Sequence, residues 1–163
     1  MSRDLPNDEM RILAPTGVLG SGFLQSSFEE GLRRNPHFIG SDAGSTDAGP
    51  APLGTGRPSF SSKAVRRDLR LMLLGARRKG IPLLIGSCGT AGGDPNLQIV
   101  ADIMEDIARE EGLSFRAALI HAEQDKEYLK QKLRDGKIRP LSVRLGTYVQ
   151  RPSLRVSSMT DAA

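Results

Sequence analysis

Four clusters in the sequence have residue types and spacing that could do chemistry. The sharpest is Gly86-Ser-Cys-Gly-Thr-Ala-Gly-Gly93, which follows an apolar run and precedes a helical pattern. Glycines there let the backbone approach a ligand closely, and amides at a helix start favour an anion such as a carboxylate or phosphate. On this reading Gly86, Ser87, Gly89, Gly92 and Gly93 are ligand-binding positions. Thr16 and Gly17 begin a second such turn, Thr16-Gly-Val-Leu-Gly-Ser-Gly22. The third cluster is Asp42-Ala-Gly-Ser-Thr-Asp47, in which Ser45 and Thr46 add hydroxyl donors and acceptors. Two carboxylates five positions apart can hold a divalent cation or share acid–base work. Each can equally close an Asx-turn on nearby backbone.

The fourth cluster is His121-Ala-Glu-Gln-Asp125. His121 is a candidate general base or metal ligand with a carboxylate partner, and Asp42 is the other candidate catalytic group. Asp125 reads more simply as the cap of the helix that follows. Cys88 sits where a helix dipole could activate a thiol, but it lacks an evident partner set, and a small buried cysteine is the commoner role. Neither glycine turn is G-x-G-x-x-G or G-x-x-x-x-G-K-[ST], so no NAD or ATP motif is present.

Positioning these clusters requires strands that end at one edge. Apolar runs at Arg11–Pro15, His37–Ser41, Ile81–Ile85 and Ser114–Ile120 alternate with helical patterns. That alternation predicts an α/β fold: a Rossmann-like open parallel sheet of about four strands with flanking helices, βαβαβαβα. All four clusters then fall beyond the carboxyl ends of strands, where such sheets bind ligands. The first helix should start at Ser26, with Ser26 and Glu29 as a capping box, and end near Asn35-Pro36. Ala48–Ser59, rich in Gly and Pro, reads as loop. Ser61 or Ser62 should cap the second long helix and Gly80 should stop it. Asp94 should cap the third, with Pro95 in its first turn and Gly112 at its end. The unbroken apolar run at Ile81–Ile85 suggests a strand covered on both faces. In the fourth helix Tyr128, Leu129 and Leu133 should face inward. The expected organisation is a short lead at 1–10, an α/β domain at 11–141, and an aberrant or disordered tail at 142–163.

Composition narrows the function classes. With 38% apolar and 26% charged residues the chain reads as a globular protein. It lacks an apolar stretch of the roughly 20 residues a membrane span needs, and its first ten residues do not resemble a secretory signal. A single cysteine fits a reducing cytoplasm. The net charge of +4 hints at nucleic acid, but Arg144, Arg151 and Arg155 of the tail carry much of it. The arginine pairs fall on helical patterns, and aromatics for base stacking make up only 4%. Neither nucleic acid nor membrane is therefore the expected partner.

Ile12-Leu-Ala-Pro-Thr-Gly17, Asp42-Ala-Gly-Ser-Thr-Asp-Ala-Gly-Pro50, Leu53-Gly-Thr-Gly56, Ile85-Gly-Ser-Cys-Gly-Thr-Ala-Gly-Gly93 and Lys132-Leu-Arg-Asp-Gly-Lys-Ile-Arg-Pro140 resemble the acyclic terpene utilisation (AtuA) family. The resemblance runs from about Met10 to Leu141. It implies bacterial catabolism of acyclic terpenes such as citronellol and geraniol, or of other small carboxylates and acyl thioesters. The family tolerates a small residue such as alanine at the position of Cys88, which argues against a thiol nucleophile. Its members are longer and often work beside, or fused to, a small extra domain. Where they continue, this chain turns into Ser142-Val-Arg-Leu and ends. The expectation is thus a truncated N-terminal portion of a lyase- or hydratase-like enzyme, with its missing domain or a small partner subunit completing the site. A non-catalytic ligand-binding or subunit-interaction module, or a product without function, are the alternatives.

Overall fold

The computed structural model describes residues 9–44 and 50–139. The chain divides into one unit ending at Glu123 and another beginning at Gln124. In the first, a parallel sheet runs in the order β1 (Ile12–Leu13), β2 (Phe38–Gly44), β3 (Leu83–Thr90). Ile12 and Leu13 pair with Phe38 and Ile39, and Ile39, Gly40 and Ser41 pair with Leu83, Leu84 and Ile85. The fold is thus mixed α/β with a small open parallel sheet and flanking helices. Ser114–Ile120 does not form a strand. Its centre, Arg116-Ala-Ala118, has little β-propensity and little apolar area to bury, so pairing there gains little against chain entropy unless the ends of the segment are anchored.

Strand order that advances steadily, with right-handed crossovers, puts the connecting helices on one side of the sheet. Helices α1 (Gln25–Arg33), α3 (Ser62–Lys79) and α4 (Asp94–Glu110) accordingly pack on one another and on the strands. Their stripes meet Ile39 in a core that includes Phe28, Leu32, Leu69, Met72, Val100 and Ile107. Among the described residues the other face is open: Ile12 is 57% and Leu84 55% exposed. The apolar run of β3 is therefore covered on one face, not on two. Sequence periodicity cannot distinguish these cases when the uncovered residues are also leucine and isoleucine.

Local chemistry explains the element boundaries. Ser61 caps α3 by accepting the Ala64 N–H at 3.3 Å, and Gly80 stops it at φ 61°. Gly112 ends α4 at φ 61°. The capping box expected at Ser26 is absent: α1 begins at Gln25 behind Leu24, and Glu29 instead pairs with Arg78 at 2.7 Å. Gly93, rather than Asp94, occupies the cap position of α4, so Asp94 lies within the first turn beside Pro95. The Gly- and Pro-rich stretch contains a short helix, α2 (Pro50–Thr55), which tolerates Pro50 and Pro52 because first-turn residues need no intrahelical N–H partner.

In the second unit, α5 (Lys126–Arg134) is capped by Asp125, whose carboxylate accepts the Tyr128 N–H at 2.6 Å. Tyr128, Leu129 and Leu133 are exposed, not inward, and Lys132 lies over the Tyr128 ring at 5.0 Å. The tail beyond Arg139 lies outside the described residues.

Candidate functional site

The site is built at the carboxyl ends of β2 and β3. The sequence suggested a turn from Gly86 onward, but β3 continues to Thr90, with an irregular register against β2 between Asp42 and Gly44. This irregularity has a cause. Ser87 and Thr90 both adopt left-handed backbone, at φ 45° and φ 81°. Such values are uncommon for serine and a genuine outlier for a β-branched residue. Strain of this kind costs on the order of 1–3 kcal/mol per residue and persists only where surrounding contacts over-determine it.

Those contacts are present. Gly44 lies so close that a methyl group there would meet Ser87 Cβ at 2.3 Å and the Thr90 carbonyl oxygen at 2.6 Å. The buried Thr90 hydroxyl accepts the Ser59 N–H at 2.9 Å. From the helix side Asn96, 1% exposed, donates from Nδ2 to the Gly89 carbonyl at 2.8 Å. Gly89, at φ 61°, has Asn96 against it, and a side chain would meet Asn96 Cβ at 2.7 Å.

The candidate ligand-binding positions fare differently. Gly86, Ser87, Gly89, Gly92 and Gly93 come together around this strand end. Two amides of the region already have internal partners, Gly92 N–H on the Cys88 carbonyl at 2.9 Å and Asp94 N–H on Glu123 Oε1 at 2.8 Å. A carboxylate from this chain thus sits at the start of α4, where the sequence suggested an external anion. Thr16 turns inward on its own loop, donating to the Val18 carbonyl at 3.0 Å and meeting the Ser21 hydroxyl at 2.8 Å. Gly17 has open space around its Cα. Ser45, Thr46 and Asp47 lie outside the described residues.

Asp42 is exposed and accepts the Gly44 N–H through Oδ1 at 2.9 Å, which is the Asx-turn alternative. Its own carbonyl accepts the Leu19 N–H at 2.8 Å and so joins the first loop to β2. His121 approaches Asp94, with Nδ1 3.0 Å from Oδ1. Asp42 therefore stands at the end of β2, bonded to the Gly44 N–H, and His121 at the start of α4, close to an Asp94 Oδ1 that is buried and accepts no hydrogen bond. Among the described residues no group of three or more His, Cys, Asp or Glu side chains is placed to hold a metal ion. Burial pushes the Cys88 thiol above its ordinary value, and its Sγ lies 3.7 Å from the Ile85 carbonyl oxygen, so the environment is that of a packed side chain.

Two supporting residues escaped the sequence reading. Asp68 is fully buried on the apolar stripe of α3, where Oδ2 accepts the N–H groups of Gly20 and Gly22 at 2.9 Å each. Its Oδ1 is paired with Arg67 at 2.7 Å. The glycine turn after β1 is thereby committed to an internal carboxylate. Asn96 performs the analogous task for the loop after β3. Both were detectable as polar residues on a helical stripe, at Val65-Asp68-Leu69-Met72 and Asn96-Val100-Ile103-Ile107.

None of the described helices is long and apolar enough to cross a membrane. No family model, curated protein or solved structure shows a significant match to the chain.

Proposed function

We propose that this is an AtuA-like catabolic protein with a Rossmann-like sheet whose fourth strand is Ser114–Ile120. It binds a small carboxylate or acyl thioester, of the kind produced in acyclic terpene breakdown, at the glycine-rich strand ends. The observation that carries the reading is the pair of left-handed residues, Ser87 and Thr90, locked against Gly44 at the carboxyl edge of a parallel sheet. Strained backbone held this firmly clusters at ligand sites, and ligands bind open parallel sheets at this edge. In the catalytic form of the proposal Asp42 and His121 serve as acid–base groups for hydration or elimination. The commitment of Asp42 to the Gly44 N–H favours a second reading, a non-catalytic ligand-binding or subunit-interaction module.

The test is titration and incubation of the protein with an acyclic terpenoid carboxylate and its acyl thioester, with and without divalent metal. Turnover lost in Asp42→Ala and His121→Ala supports the enzyme. Saturable binding that survives both substitutions without turnover supports the module. Absence of binding by either ligand contradicts both readings.

A further inference from the structure

The segment from Gly112 to Glu123 forms no strand, and its two ends are anchored at different places. It leaves α4 at Gly112, and the Leu113 N–H donates to the Ala108 carbonyl at 2.8 Å. Half-buried Phe115 then packs against the core, with the Arg77 guanidinium 6.0 Å from its ring. Arg77 is in the last turn of α3, which leads into β3, so the segment starts beside the beginning of that strand. At its other end Glu123 and His121 both reach Asp94, the first residue of α4. The segment thus passes from the start of β3 to its end, in the same direction.

β3 is the outer strand of the sheet and pairs with β2 alone among the described residues. The segment meanwhile leaves Leu119 46% and Ile120 83% exposed. A right-handed crossover through α4 would deliver the next strand to this open edge. We propose that Ser114–Ile120 is a strap that closes on the free edge of β3 as a fourth parallel strand, with the contacts of His121 and Glu123 to Asp94 as the clasp that fixes its register. The inference rests on the Rossmann-like reading of the sheet and requires no ligand. Tethering at both ends gives the strap a high effective concentration at β3, so it takes precedence over a second copy of the chain. Clasp and ladder are linked: whatever factor the clasp adds to closure, closure adds to the clasp.

Hydrogen exchange on the full chain tests this without ligand. The amides of Ala117–Ile120 are expected to exchange at least about tenfold more slowly than in a free peptide, the protection of a populated strand. Glu123→Ala should remove that protection, and Glu123→Gln and His121→Ala should reduce it, while Ile39–Ser41 in β2 stay protected and so report an intact fold. Free-peptide exchange in the wild type overturns the proposal. Protection that persists in Glu123→Ala with β2 intact overturns the clasp. Protection that rises with protein concentration assigns the edge to a second copy and overturns the strap. Each of these outcomes is separate from success or failure of the ligand titration.

Discussion

Replacing Asp68 by alanine removes the carboxylate that holds the glycine loop after β1. Its side chain is 1% exposed, so water cannot take over the lost bonds without entering the core. Two amides, Gly20 and Gly22, lose an ionised acceptor at 2.9 Å, and Arg67 loses its partner at 2.7 Å. Hydrogen bonds to charged groups contribute about 1.5–3 kcal/mol each, and breaking a buried charge network by removing one member costs about 3–5 kcal/mol. Arg67 is 56% exposed and can rehydrate, which places the expected loss at about 3–4 kcal/mol. At about 2–4 °C per kcal/mol for a chain of this size, the melting temperature should fall by roughly 6–16 °C. Asp68→Asn should lose about half as much, because one carbonyl oxygen can still accept both glycine amides. Urea unfolding followed by circular dichroism gives the free energy, and amide exchange at Gly20 and Gly22 locates it. A loss below about 1 kcal/mol for the alanine variant, or unchanged exchange at the two glycines, would mean that Asp68 does not hold the loop.

Gly44→Ala forces a methyl group to 2.3 Å from Ser87 Cβ and 2.6 Å from the Thr90 backbone. It should cost about 2–3 kcal/mol in chemical denaturation, since backbone cannot give way as a flexible side chain can. Gly17→Ala, with open space and no positive φ, should leave stability within about 0.5 kcal/mol, and it serves as the control. Cys88 should react with a disulfide reagent much more slowly in the folded chain than after unfolding, because burial raises its thiol above the ordinary 9.0. A folded pKa above the unfolded one means the folded state keeps its proton longer. Its stabilising contribution is therefore full below the unfolded value and is lost as pH rises through the folded one. Cys88→Ala should flatten the decline of stability in that alkaline window, measured by urea titrations at several pH values.

How much was legible in the sequence depended on whether the signal was local. The cap at Ser61, the stop at Gly80 and the cap at Asp125 are set by one side chain or one glycine, and they stand as read. The parallel α/β alternation was legible because strand and helix periods differ. Ser26-Ser27-Phe28-Glu29 resembles a capping box, but Glu29 is engaged in a tertiary ion pair with Arg78. The open sheet face could not be seen, because it depends on which elements are neighbours rather than on residue type. The loop expected from Gly86 is still strand as far as Thr90, and the partners of the glycine-turn amides could not be read from the sequence. Asp68 and Glu123 lie far along the chain from Gly20 and Asp94, and only folding brings them together.

The strand-end glycine loop is proposed to hold an anionic ligand. The most direct test is a nuclear magnetic resonance titration of the isotopically labelled full chain with inorganic phosphate and, separately, a small carboxylate. Saturable shifts are expected, concentrated at the amides of Gly86, Ser87, Gly89, Gly92 and Gly93. Absence of saturation there, or shifts confined to the arginine-bearing helix faces at Arg33 and Arg78, would contradict it.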